Sequence, residues 1–116
     1  MKFGDKLPEV TLLYDARGPR PENAAGIGEF WYEPEIWSLP LSPSSKVLYA
    51  GLCSFLRHGQ INREDLRGTL KKCTDEEITA ALQTLIRHGL LCPAPRVTPA
   101  ETLPGYTVRS VEEFDS

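Results

Sequence analysis

From residue 43 onward, apolar residues recur every three or four positions, and this spacing predicts successive helices. Val47, Leu48, Leu52, Phe55 and Leu56 form one stripe of the first helix. Pro43 suits its opening turn, Ser42 or Ser44 suits its cap, and Gly59 supplies the left-handed residue that ends it. Gln60-Ile61 leaves room for one or two extended residues before the next cap, Asn62. In NREDLRGTLKKC, Leu66 and Leu70 share a buried side. Gly68 weakens that segment by about 1 kcal/mol relative to alanine, so a short helix ending near Lys71 is expected.

The third helix opens with a capping box, Thr74 at the cap and Glu77 three residues on. Ile78, Ala81, Leu82, Leu85 and Ile86 form its inward stripe, and Gly89 stops it. Period two then replaces the helical period. Leu90, Leu91 and Cys92 predict a strand ended by Pro93 and Pro95, and residues 106–110, YTVRS, can return beside it as a hairpin. The proline-rich stretch between them is a loop. Residues 111–116 read as an acidic, frayed tail that Phe114 is able to anchor.

Ahead of the helices the pattern is lost. Residues 1–45 hold six of the ten prolines, and DARGPRPENAAGIGE is punctuated too often for a helix or a ladder strand. Yet Phe30, Trp31, Tyr32 and Trp37 fall within one short stretch. Burial of each contributes about 1.5–3 kcal/mol, so an irregular arm, residues 1–41, is expected to pack on the helical domain or on a second copy of it.

Composition changes this picture little. The 116 residues, 41% hydrophobic and 25% charged, fit one ordinary globular domain. No apolar run reaches the roughly 18–20 residues of a membrane helix, and the N-terminus lacks the pattern of a signal peptide, so a cytoplasmic protein with no membrane partner is expected. Charge is more informative. Residues 1–43 and 97–116 each sum to −3, whereas 44–96 sum to +3. A mildly basic middle between acidic flanks is compatible with nucleic acid.

Catalytic chemistry finds no support. Cys53, Cys73 and Cys92 stand about twenty residues apart and, with His58 and His88, offer no zinc spacing; they read as buried small thiols. Neither histidine has a nucleophile at motif spacing, and each precedes a glycine that ends a helix. GIGEF is not a phosphate-cradling loop. No enzyme activity, cofactor or metal is expected.

The order of elements is carried by LSPSSKVLYAGLCSFL, INREDLRGTL, TDEEITAALQTLIRHGLL and YTV. It resembles a winged helix-turn-helix, mainly α with a small β-hairpin: a three-helix core plus wing over residues 42–110. The last helix running into GLL is similar to the recognition-helix exit of MarR-type regulators and of the N-terminal domains of DnaD-like bacterial and phage replication proteins. The entry FWYEPEIWSLPLSPSSKVLY is more similar to the replication group. The resemblance implies a dimer in transcription regulation or replication initiation, near the nucleoid, with residues of about 75–88 in the major groove of double-stranded DNA.

One departure stands out. Where DNA-binding relatives carry Ser, Thr, Arg or Lys, this helix opens with Asp75-Glu76-Glu77. Carboxylates in a first turn favour the helix dipole, which accounts for them without a ligand. Further along the expected outward face, Thr79, Gln83 and Arg87 step by four and carry base-reading chemistry. Arg63, Arg67, Lys71, Lys72 and, on the wing, Arg96 are candidates for phosphate contacts. The alternative is a module for oligomerisation, or for docking on a replication or regulatory protein, that uses Phe30, Trp31, Tyr32 and Trp37. The acidic turn and flanks fit that alternative.

Overall fold

The computed structural model describes residues 12–27, 30–56, 61–94 and 105–115. Strand β1 (Leu12–Asp15) leads to a hairpin of β2 (Ala25–Ile27) and β3 (Phe30–Tyr32), then a 3-10 turn over Pro34–Ser38. Helices α1 (Pro43–Ser54), α2 (Arg63–Thr69) and α3 (Asp75–Arg87) follow. Strands β4 (Leu91–Ala94) and β5 (Gly105–Val108) and a 3-10 turn over Val111–Glu113 complete the order. The architecture is mixed α/β, not mainly α with one hairpin.

Each helix starts where a side chain satisfies the orphaned first-turn amides. Ser42 Oγ accepts from the Ser45 amide at 3.3 Å, with Pro43 in the first turn of α1. At α2, Asn62 Oδ1 accepts from the Asp65 amide at 3.0 Å while Asp65 accepts from the Asn62 amide at 2.9 Å. At α3 the expected box forms, Thr74 Oγ1 accepting from the Glu77 amide at 3.1 Å and Glu77 from the Thr74 amide at 3.0 Å. Gly89, with φ of +79°, closes α3. Its amide reaches the Ile86 carbonyl and the Leu90 amide reaches the Leu85 carbonyl, the paired bonds of a left-handed helix stop.

Three boundaries differ from the sequence pattern. Helix α1 ends at Ser54, not beside Gly59, because the chain turns at Phe55 and sets Leu56 and Ile61 into the core; Gly59 lies outside the described residues. Helix α2 stops at Thr69. Ile61 belongs to no strand, and Gln60 lies outside the described residues. In β4, Pro93 does not end the strand but pairs opposite Tyr106. Proline is tolerated there because, among the described residues, β4 is an edge strand with no second neighbour.

The larger correction concerns the arm. Among the described residues, 12–38 hold three strands and a turn rather than an irregular segment. The main sheet runs β1-β5-β4, with β5 central. β5 pairs antiparallel with β4 and parallel with β1, Leu13 opposite Tyr106 and Asp15 opposite Val108. Leu13 and Ile36 thereby join one core with Leu48, Leu52, Leu66, Ile78, Leu82, Leu85, Leu90, Leu91 and Val108. A Cβ at Gly105 would stand 2.8 Å from the exposed Tyr14 ring, which would have to swing aside.

Polar contacts fasten the arm as well. Glu33, buried, accepts from the Val111 amide at 3.0 Å and from Ser110 Oγ at 2.8 Å. The 3-10 turn it caps buries Val111, and Phe114 stacks on His88 with ring centres 4.9 Å apart. Residues 111–115 are thus docked on the end of α3, and Phe114 is the anchor of what the sequence presents as a frayed tail.

Candidate nucleic-acid interface and an apolar groove

The turn from α2 to α3 gathers the charged residues that the sequence singles out. Arg67 on α2 forks onto Asp75 in the first turn of α3, Nε to Oδ1 at 3.0 Å and Nη2 to Oδ2 at 2.8 Å. Its remaining nitrogen, Nη1, donates to Glu64. Hydrogen bonds from Arg67 hold the Asp75 carboxyl below the usual carboxylate range, and Arg63 adds a weaker pull. Glu77 is lowered as well, by the Thr74 amide and hydroxyl of its capping box. Two of the three acids are therefore engaged within the fold. Glu76 is exposed, and its carboxylate has no hydrogen bond or ion pair with a described residue.

The base-reading stripe is only partly realised. Thr79, expected outward, is 7% exposed, and its hydroxyl donates to the Asp75 carbonyl at 2.8 Å. It lies one turn beyond Asp75 on the face clasped by Arg67, so it is taken up by the helix itself. Gln83 and Arg87 are exposed, as are Lys71 and Lys72 in the turn before α3. None of those three cations makes an ion pair with a described residue. Arg63 is half-buried, and Arg96 lies outside the described residues. Ile86, assigned to the inward stripe, is exposed beside Arg87.

The aromatic residues divide. Trp31 is buried, with the Arg17 guanidinium 3.6 Å from its ring centre. Arg17 also forks onto Asp15 and donates from Nη1 to the Trp31 carbonyl at 2.6 Å. Tyr32 is half-buried and meets Trp37 edge to face, with ring centres 5.9 Å apart. Phe30 and Trp37 are each 45% exposed. Gly26, at φ +108°, brings β2 against β3 so tightly that a Cβ would stand 2.1 Å from the Phe30 carbonyl oxygen.

Between this hairpin and α1 lies an open groove of about 350 Å³, lined by Phe30, Trp31, Tyr32, Val47, Ala50 and Gly51 among others. Val47 is exposed here, contrary to its place in the expected core stripe. The sequence carries a signal for this face that the hydrophobic pattern hides. Val47, Ala50, Gly51 and Ser54 step at helical spacing, but three of them are too small to register as a stripe. Glu33 carries no local signal, because its partners lie far along the chain, and the local Arg17–Asp15 pair gives no hint of Trp31.

The cysteines are free thiols: Cys53 is buried, Cys73 and Cys92 half-buried. Burial pushes the Cys53 thiol up to about 12, against the opposing pull of Arg17, so it stays protonated at neutral pH. Among the described residues no helix is long and apolar enough to cross a membrane. The chain matches no protein-family model, no curated protein and no solved structure.

Proposed function

We propose that the chain is a winged helix-turn-helix protein that binds double-stranded DNA, with α3 facing the major groove and the β4–β5 hairpin as its wing. The observation that carries this reading is the exposed set Lys71, Lys72, Gln83 and Arg87, arrayed before and along α3, while Asp75 is paired with Arg67 and Glu77 with the Thr74 cap. The two lysines suit phosphates, and Gln83 and Arg87 suit adenine and guanine edges. With few cations, binding is weak and salt-sensitive. The test is fluorescence anisotropy on random duplex DNA at low and at near-physiological salt. Micromolar binding that weakens with salt and is lost in Lys71→Glu/Lys72→Glu supports the reading; absence of binding at low salt ends it.

The groove favours a second reading, a protein-contact module whose occupant is a second copy of the chain. Exposed Phe30 projects from the same face that holds the recess, which is the self-complementary arrangement a two-fold interface needs. Light scattering tests this second reading. On this one Phe30→Ala lowers the solution mass of a dimer and Lys71→Glu/Lys72→Glu leaves it unchanged; a monomeric wild-type protein excludes it.

A further inference from the structure

We propose that Arg67 is a phosphate contact held in reserve, occupied by Asp75 in the free protein and released to a DNA phosphate on binding. The inference rests on the DNA-binding reading and names a regulatory contact within that site.

Its first support is the geometry of the pair. Arg67 meets the two carboxylate oxygens with two parallel bonds, of 3.0 and 2.8 Å, from Nε and Nη2. The same planar pair of donors meets two phosphate oxygens, so Asp75 stands where a phosphate would. A lysine, as a point charge, has no such shared fit. The second support is access. The two side chains are 41% and 39% exposed, so solvent reaches both partners and an exposed pair gives up little on opening. The third is location. Arg67 lies on α2, and Lys71 and Lys72 stand exposed in the turn that leads from it to α3.

The exchange is specific to Asp75. Glu77 is tied to the Thr74 cap and does not touch Arg67. Glu76 carries the same charge in the same turn without holding a cation, so it separates release of Arg67 from a change in net charge. Glu64, which also accepts from Arg67, supplies a second lever that leaves the link between α2 and α3 intact.

The experiment measures duplex binding of the wild type, Asp75→Asn, Glu76→Gln and Glu64→Gln, each with and without Arg67→Gln. Thermal midpoints are taken for every variant. Asp75→Asn is expected to tighten low-salt binding several-fold, by about three- to tenfold, and more than Glu76→Gln does. The excess disappears with Arg67→Gln. Glu64→Gln moves in the same direction by less, and decides the matter if Asp75→Asn lowers the midpoint to the assay temperature. Equal gains from Asp75→Asn and Glu76→Gln, or a gain that survives Arg67→Gln, overturn the exchange and leave DNA binding standing. If neither the wild type nor any variant binds at low salt, the DNA-binding reading falls and takes this inference with it.

Discussion

Two arginines in this molecule fork onto an aspartate, and they do opposite things. The Arg17 side chain is 1% exposed; its guanidinium holds Asp15, the Trp31 carbonyl and the Trp31 ring at once. Every polar atom around it depends on its presence. The Arg67 side chain is 41% exposed, and its two acidic partners are open to water. Burial, not the fork, decides whether such a pair is architecture or an exchangeable contact. Without Arg17 the buried face of Trp31 loses its partner and Asp15 is left half-solvated, whereas without Arg67 its partners are rehydrated.

The difference is broken most directly at Arg17. Arg17→Met is expected to cost about 2–3 kcal/mol in urea unfolding, less than a fully buried pair because Asp15 keeps some contact with water. A cost near zero would make the clasp ornamental. Arg67→Gln, by contrast, is expected to lower the unfolding midpoint only slightly, as removal of an exposed pair does.

This contrast also marks what the sequence was able to show. The caps at Ser42, Asn62 and Thr74 and the stop at Gly89 are local, each completed within a few residues, and they are legible without the fold. The mild basic character of residues 44–96 is legible too. Glu33 and β1 are not, because each is defined by a partner brought up from far along the chain, and the local Arg17–Asp15 pair shows its role only once Trp31 lies against it. LLYD shows four residues of no particular pattern until β5 lies beside it. Thr79 fails for a related reason. A helical period ranks faces by hydrophobicity, and it does not see that Asp75, one turn earlier, turns that face toward α2. Val47 and Ile86 err in the other direction: apolar by type, they are left exposed where no element covers them.

Smaller effects sharpen the picture around the exposed clasp. Thr74→Ala is expected to cost about 1 kcal/mol, since it removes the cap that holds Glu77. Acid titration reports on the same turn. Asp75 and Glu77 are both lowered in the folded protein, so each binds its proton more weakly there than in the unfolded chain. Their contribution to stability is whole above the ordinary carboxylate value of about 4 and is lost as pH falls through the lowered folded values. Urea midpoints measured from about pH 6 to about pH 3 should fall more steeply for the wild type than for Asp75→Asn/Glu77→Gln.

The smallest change has the opposite sign. Gly68 lies inside α2, next to Arg67, and a Cβ built there meets nothing within 4 Å. Gly68→Ala is therefore expected to raise stability by about 0.5–1 kcal/mol, read as a higher thermal midpoint. A loss would show that α2 needs the freedom at that position.

The central place of β5 in the sheet also sets the order in which the chain matures during synthesis. All three helices and β4 leave the ribosome before β5, while β1, made first, waits for a lane between itself and β4 that is filled last. Until residue 105 emerges, two strand-forming segments present open edges and Arg17 has no finished sheet behind it. A nascent chain halted there is sticky at its edges while its helices are already capped, and chaperone capture of arrested chains should peak in that interval.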